Sequence, residues 1–222
     1  MAASDLAAAL AEVEATGENH NATGRALFEA CHGDLFPMDA LAMTVLDRSL
    51  SLVQGFTLLV RNGGYTPAAG LVRMQLDNVI RLHGITSQPD PHDVASRVIA
   101  GKRLDQLRGV DGKRMRDANL RALLSKANPW VDHVYSVSSG YVHLSDQHVR
   151  HFMQRSAINA AGSRDVAIGT TDDYLRDEQR IDLVNAFCGV TRNVLKVVSR
   201  WVDHRDRHGD RSELAARFPH RL

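Results

Sequence analysis

Cysteine is almost absent from this chain: Cys31 and Cys188 are the only two among 222 residues, and neither belongs to a CxxC motif. Two distant cysteines exclude a disulfide framework. Each lies among apolar neighbours in a predicted helix, so both are expected to be reduced thiols in the core. No basic segment followed by an apolar one opens the chain, and no apolar run reaches the roughly 18 residues of a membrane span. We therefore expect a cytoplasmic protein with no membrane partner.

Familiar catalytic signatures are missing as well. The sequence contains no GxxxxGK[ST], no GxGxxG after a strand and no GxSxG. Their absence argues against phosphate-loop nucleotide hydrolysis and α/β-hydrolase chemistry, and no cofactor is expected. A net charge of +1 with 24% charged residues argues against a main function of coating nucleic acid or anionic membranes.

What is present is helical periodicity. Apolar residues recur at three- and four-residue steps through most of the chain, which predicts α-helices. Helix ends are expected at Gly17, Gly84 and Gly140, and helix starts at Thr66-Pro67 and Asn128-Pro129. The predicted helices cover residues 3–15, 23–32, 37–61, 66–83, 91–100, 117–126, 129–139 and 172–207, with a further turn or short helix over 143–152.

The same pattern predicts the domain organisation. Neither a repeat nor a linker is visible, so residues 1–208 are predicted to form one domain and residues 209–222 a polar C-terminal tail. A loop or a small hairpin is expected near 155–170, and Thr171-Asp172-Asp173 is expected to cap the last helix. Long helices with apolar stripes and shorter helices between them favour an all-α bundle of about five to seven helices.

The central predicted helix carries an unusual row of charges. Arg73, Asp77 and Arg81 are spaced by four residues, so they share one face of a helix that is apolar nearly all round. Buried charges are costly unless they are paired. Three interpretations stay open: an ion ladder that joins helices, a solvated stripe, or part of a functional polar pocket.

A second polar row lies in the segment YSVSSGYVHLS. Tyr135 and Ser139 are one turn apart, and His143 continues their face if the helix persists through Gly140. These groups could satisfy the guanidinium of Arg73 across the core. They could also form a catalytic site in which His143 transfers protons, or His143 could be a hydrogen-bonded structural residue.

Three histidines, His143, His148 and His151, raise the question of a metal site. Neither HExxH nor CxxC accompanies them, and Asp146 is the only acid close in sequence. No metal is expected.

Basic residues concentrate in one stretch. Residues 102–121 hold seven basic and three acidic side chains, a net charge of +4. This stretch is the candidate for contacting nucleic-acid phosphates, and the alternative is an ordinary solvated loop and helix face. The candidate nucleic-acid-binding residues are Lys102, Arg103, Lys113, Arg114 and Arg116.

Two segments together resemble a known group of proteins. AAGLVRMQLDNVIRL (68–82) and VYSVSSGYVHLSDQH (134–148) are similar to an uncharacterised prokaryotic all-helical family with an Arg-x-x-x-acid helix and a later Tyr-x-x-x-Ser-x-x-x-His-x-Ser segment. The matching residues are Arg73, Asp77, Tyr135, Ser139, His143 and Ser145. The family usually has Glu where Asp77 stands and often Pro where Leu144 stands. Some members are suspected of roles in phage defence, and no established activity comes with the resemblance.

A weaker resemblance is to the HEPN superfamily of helical bundles, many of which are RNases with an Arg-x4–6-His motif. Arg25 and His32 have this spacing but lie near the N-terminus, and Arg200 and His204 are only four positions apart. The resemblance implies a dimer in which Arg and His of two chains meet at a shared groove.

These observations leave the enzymatic status open. The first hypothesis is a helical binding or regulatory module, with an unknown partner and with self-association through its long helices. The alternative is a HEPN-like RNase or other hydrolase, whose candidate catalytic residues are His143, Arg73, Asp77, Tyr135 and Ser139. A third hypothesis is binding of RNA or DNA through residues 102–121.

Overall fold

The structure is a computed structural model that describes residues 2–166, 168–169, 171–208 and 211–219. Within these residues the chain is an all-α bundle, as predicted, and it contains one two-stranded hairpin. The α-helices are α1 (Ala2–Ala30), α2 (Pro37–Arg61), α3 (Tyr65–Thr86), α4 (Pro91–Ile99), α5 (Asp117–Ser125), α6 (Trp130–Val142), α7 (Asp146–Arg155), α8 (Asp177–His208) and α9 (Arg211–Arg217). A 3-10 turn spans Leu104–Gln106, and strands β1 (Ala157–Ile158) and β2 (Arg164–Asp165) pair antiparallel inside the predicted hairpin region.

The first helix is longer than predicted. Residues 3–15 and 23–32 were expected as separate helices, but α1 runs without a break through Gly17. Its inner face buries Val13 and Leu27 among other core side chains, and this tertiary burial outweighs the weak helix propensity of glycine and asparagine. The helix ends just before His32 and Gly33, which both have positive φ angles.

Two more glycines predicted to end helices lie inside them. The backbone of α3 continues through Gly84 to Thr86, and α6 continues through Gly140 to Val142. At Gly84 an added Cβ would lie 2.6 Å from Leu120 of α5, so this glycine serves the close packing of two helices rather than a helix end.

Helix α3 lies at the centre of the bundle. It packs against α2, α8, α6 and α5, and α1 covers α8 and α2 on the other side. The rings of Phe56 and Phe187 stack in the core with their centroids 3.9 Å apart. None of the helices in the described residues is long and apolar enough to span a membrane.

A layer of polar side chains crosses this core. Gln75 of α3 donates from Nε2 to the hydroxyls of Ser49 on α2 (2.7 Å) and Thr191 on α8 (2.9 Å). Its Oε1 accepts from Asn78 at 2.9 Å. Because each of these buried groups has a partner, the layer fixes the register of three helices instead of weakening the core.

His20 extends the layer to α1. Its Nδ1 lies 2.7 Å from the carbonyl oxygen of Thr16, which can only accept, so Nδ1 carries the proton. Its Nε2 then accepts from the hydroxyl of Ser49 at 2.8 Å. Burial lowers the pKa of His20, in agreement with a neutral ring whose two nitrogens are both hydrogen-bonded.

A buried ion pair closes one end of the bundle. Asp39 is fully buried; it accepts from Trp201 Nε1 at 2.8 Å and pairs with Arg205 Nε at 3.2 Å. Cys31 and Cys188 are buried free thiols. Burial, reinforced by the nearby Asp39 carboxylate, raises the pKa of Cys31 to about 12.

The boundary predicted between residues 208 and 209 stays a prediction, since residues 209 and 210 lie outside the described residues. Helix α9 follows them, and Arg217 of this helix forms an ion pair with Asp90. Part of the C-terminal segment is thus helical and attached to the bundle.

Candidate functional site

The structure brings together three of the five predicted catalytic residues. The guanidinium carbon of Arg73 lies 4.1 Å from the centre of the Tyr135 ring, which is a cation–π contact between α3 and α6. Arg73 Nη1 lies 3.8 Å from Asp77 Oδ1 on the same helix. Arg121 of α5 covers the Tyr135 ring as well, at 4.7 Å.

Asp117 at the start of α5 completes this cluster. Arg81 binds both oxygens of Asp77, at 2.8 and 2.9 Å, and donates to Asp117 at 2.8 Å. Arg73 lies 3.7 Å from the other Asp117 oxygen. Two guanidinium and two carboxylate groups therefore neutralise one another and join α3 to α5. Nothing in the sequence marked Asp117, which lies 36 positions from Arg81.

Ser139 and His143 are placed differently. The hydroxyl of Ser139 donates to the carbonyl oxygen of Tyr135 at 2.7 Å, within α6. His143 is exposed, and its extended backbone ends α6. The helical face predicted to run from Tyr135 to His143 stops one residue short. Ser145 caps α7 instead, accepting from the backbone of Gln147.

Another buried cluster forms where the chain enters α8. Asp172 is 1% exposed and lies 106 positions from Thr66, whose backbone N–H and hydroxyl donate to it at 2.5 and 3.0 Å. Arg155 of α7 and the hydroxyl of Tyr174 donate at 2.5 and 3.1 Å. Burial, together with the Asp172 charge, raises the pKa of Tyr174 to about 12. Asp172 was expected to cap the last helix, but α8 begins at Asp177, and Asp172 joins α3 to α7 instead.

A cavity of about 300 Å³ lies beside this cluster, between α3, α6, α7 and the first turns of α8. Its surface is mostly apolar, and the apolar residues that line it are Ala69, Val72, Val134, Val137, Leu175, Leu183 and Ala186. The polar and aromatic residues that line it are Tyr65, Thr66, His133, Ser138, Tyr141, His151, Gln179 and Asp182. A concave apolar site with a few polar groups is the usual form of a small-molecule site.

His151 stands where this cavity meets a wider and more open one of about 710 Å³. Both His151 and Thr66 line the two cavities. The His151 ring lies 5.1 Å from that of Tyr174 and 5.7 Å from that of Tyr141. Its Nδ1 is buried and has no hydrogen-bond partner among the described residues. Burial lowers the pKa of His151, so the ring is neutral near pH 7.

Other residues on the inner face of α7 also have buried polar atoms without hydrogen-bond partners. Gln147, His151 and Arg155 are spaced by four residues, and each carries a buried polar atom without a hydrogen-bond partner among the described residues: Oε1, Nδ1 and Nε respectively. Buried polar groups that lack partners are uncommon in folded proteins and cost about 1–3 kcal/mol each. This helix face therefore carries three buried polar atoms without partners, and its middle residue, His151, lines the cavity.

The predicted nucleic-acid-binding residues lie in an irregular, mostly exposed segment. All five are exposed, and Arg103 is also paired with Asp105 at 2.6 Å. Arg103 and Arg116 come together with Arg81, Asp105 and Asp117 around one polar pocket of about 550 Å³. The nearby carboxylates offset much of the positive charge, and nucleic-acid binding stays a prediction.

The two Arg–His pairs of the HEPN resemblance lie on different helices. Arg25 and His32 are exposed at the end of α1, and Arg200 and His204 are exposed on α8. Among the described residues, no three His, Cys, Asp or Glu side chains are grouped so that they could hold a metal ion.

Comparison with known proteins gives no match: no protein-family model, no curated protein and no solved structure matches this chain. Both family resemblances stay predictions, and the functional argument depends on the site itself.

Proposed function

We propose that the protein is a helical binding module that holds a small ligand in the cavity between α3, α6, α7 and α8. The observation that carries this proposal is the cavity itself: about 300 Å³ of mostly apolar surface, bordered by the side chains of Tyr141 and His151. A ligand with an apolar body and one polar group fits this combination.

The predicted catalytic cluster supports binding over hydrolysis. The charges of Arg73, Asp77, Arg81 and Asp117 are paired with one another, so none is left to activate a nucleophile or to stabilise a developing charge. We assign this cluster a structural function, joining α3 to α5.

A ligand screen tests the proposal. Mixtures of small metabolites are examined by ligand-observed NMR with the wild type and with Ala186→Leu, which fills the cavity from its α8 wall. Ala15→Leu makes the same change on an exposed face of α1 and is the matched control. Ligands that bind the wild type and Ala15→Leu but not Ala186→Leu are the expected result. Equal binding by all three proteins, or no binding by any, would contradict the proposal.

The RNase alternative is tested with the wild type and two histidine variants. Labelled RNA is incubated with the wild type, His143→Ala and His151→Ala. The binding proposal expects no cleavage by any of them. If the wild type cleaves RNA and either variant does not, the binding proposal is overturned in favour of the RNase alternative. The role in phage defence that the resemblance implies stays a prediction.

A further inference from the structure

The cavity lining is almost free of charge, and its one charged residue is acidic. Among the described residues that line the cavity, Asp182 of α8 is the only Asp, Glu, Lys or Arg. It is exposed, as are His133 of α6 and Gln179 of α8, so these three residues form the mouth, while Ala69 and Val72 of α3 form an apolar floor. A ligand that enters therefore places its apolar part inside and its polar part beside a carboxylate.

The charges around the cavity are paired and leave Asp182 uncompensated. Arg155 and Asp172 neutralise each other at 2.5 Å. Arg180 lies 3.6 Å from Asp177. No Lys or Arg in the described residues forms an ion pair with Asp182. A carboxylate without an ion-pair partner favours a cation at the mouth and disfavours an anion.

Aromatic rings provide a second preference for positive charge. Tyr65 and Tyr141 both line the cavity. The ring of Tyr65 already contacts the guanidinium of Arg180, whose carbon lies 5.3 Å from the ring centre, so the ring that would attract the cation of a ligand is that of Tyr141. Ring faces of this type attract ammonium groups as well as guanidinium groups.

We infer that the ligand of this cavity is an amphipathic amine, whose apolar or aromatic body lies against α3 and α6 and whose ammonium group lies at the mouth near Asp182. The inference rests on the proposed function and specifies its ligand class. Anionic ligands of the same shape are disfavoured at the mouth, because no Lys or Arg among the described residues lines the cavity to receive them.

Three probes of one shape test the charge preference. Benzylamine, benzyl alcohol and benzoate differ only in the group attached to the ring. Their affinities are measured by NMR titration at pH 8, where unperturbed histidines are neutral. The expected order is benzylamine tightest, benzyl alcohol intermediate and benzoate weakest.

One substitution, Asp182→Asn, tests whether Asp182 causes the preference for a positively charged ligand. In Asp182→Asn the affinity for benzylamine falls roughly twofold to fivefold, the size of an exposed ion pair, and the affinity for benzyl alcohol is unchanged. Asp206→Asn removes another exposed carboxylate of the same helix and is expected to leave all three affinities as in the wild type.

The outcomes separate the inference from the proposed function. Benzoate binding as tightly as benzylamine, or benzylamine binding unaffected by Asp182→Asn, overturns the inference while a ligand-binding cavity stands. Probe binding that survives in Ala186→Leu shows that the probes lie elsewhere and also overturns the inference. The proposed function is overturned separately, when no ligand of the metabolite screen depends on Ala186.

Discussion

His20 and His151 are two histidines whose pKa is lowered by burial and whose surroundings differ. Both ring nitrogens of His20 are hydrogen-bonded, to Thr16 and to Ser49. The Nδ1 of His151 is equally inaccessible but has no partner among the described residues. His20 lies inside a packed polar layer and His151 beside a cavity. Complete hydrogen bonding is typical of groups that hold a fold together, whereas a buried polar atom without a partner calls for a separate explanation. The cavity that His151 lines is the feature that His20 lacks.

The largest expected effect comes from breaking the satisfied layer. Gln75→Ala removes three hydrogen bonds and leaves the buried amide of Asn78 without an acceptor. We expect the free energy of unfolding to fall by about 3 kcal/mol, measured by urea denaturation. Gln54→Ala, at an exposed glutamine of α2, should change it by less than about 0.5 kcal/mol. A loss below about 1 kcal/mol for Gln75→Ala would show that the layer contributes little to stability.

The second prediction concerns the pH dependence of stability and another buried, hydrogen-bonded histidine, His92. His92 accepts from the backbone N–H of Met38 at 3.2 Å, and burial lowers its pKa to about 4. The unfolded chain binds this proton near pH 6.5, so stability is lost as the pH falls below that value. Between pH 7.5 and pH 5 we expect His92 to account for about 2 kcal/mol of the loss in unfolding free energy.

The variant His92→Asn isolates this contribution, since an asparagine oxygen can still accept from Met38. Its stability should depend less steeply on pH than that of the wild type between pH 6.5 and pH 4. His32→Asn, at an exposed histidine with positive φ, is the control and should keep the wild-type slope. Identical slopes for His92→Asn and the wild type would mean that His92 titrates normally in the folded protein.

A smaller effect is expected at the charged cluster. Arg73→Met keeps much of the side-chain volume over Tyr135 but removes the charge shared with Asp77 and Asp117. We expect a loss of about 1 kcal/mol in unfolding free energy and no change in the affinity for benzylamine. Arg61→Met, which breaks an exposed pair with Glu14, is the control. Loss of ligand binding without loss of stability in Arg73→Met would move the functional site to this cluster.

The smallest structural effect is expected at the cavity wall. Ala186→Leu fills existing space between α6 and α8, so its unfolding free energy should stay within about 1 kcal/mol of the wild type while ligand binding is lost. Thermal unfolding with and without benzylamine measures both: the ligand raises the wild-type Tm and leaves that of Ala186→Leu unchanged. A large destabilisation would instead indicate that the cavity is closed in solution.

The elements predicted correctly are those with local signals. Helix α2 begins at Pro37 and ends before Asn62 and Gly63 as predicted, because proline and glycine act within one turn of the chain. Gly17 and Gly84 were misinterpreted as helix ends because their effect depends on helices that pack against them from elsewhere in the sequence. Local sequence patterns contain no information on which distant helix packs against a glycine.

The candidate site shows the same limit. The spacing of Arg73 and Asp77 left an ion ladder as one of three interpretations, and the two side chains do pair. The contact of Arg73 with Tyr135 joins the two predicted segments. The contact between Asp172 and Thr66 spans 106 positions. The cavity exists because Ala69 and Ala186 are small where several helices meet. Neither feature has a local signature, so neither could be predicted.

The most direct test of the account follows the imidazole signals of His20 and His151 by NMR while benzylamine is added. We predict that the chemical shift of the His151 signal changes saturably while that of His20 does not change. In Ala186→Leu neither signal should change. A His151 signal that stays fixed while the ligand binds, or a His20 signal that moves as far, would contradict it.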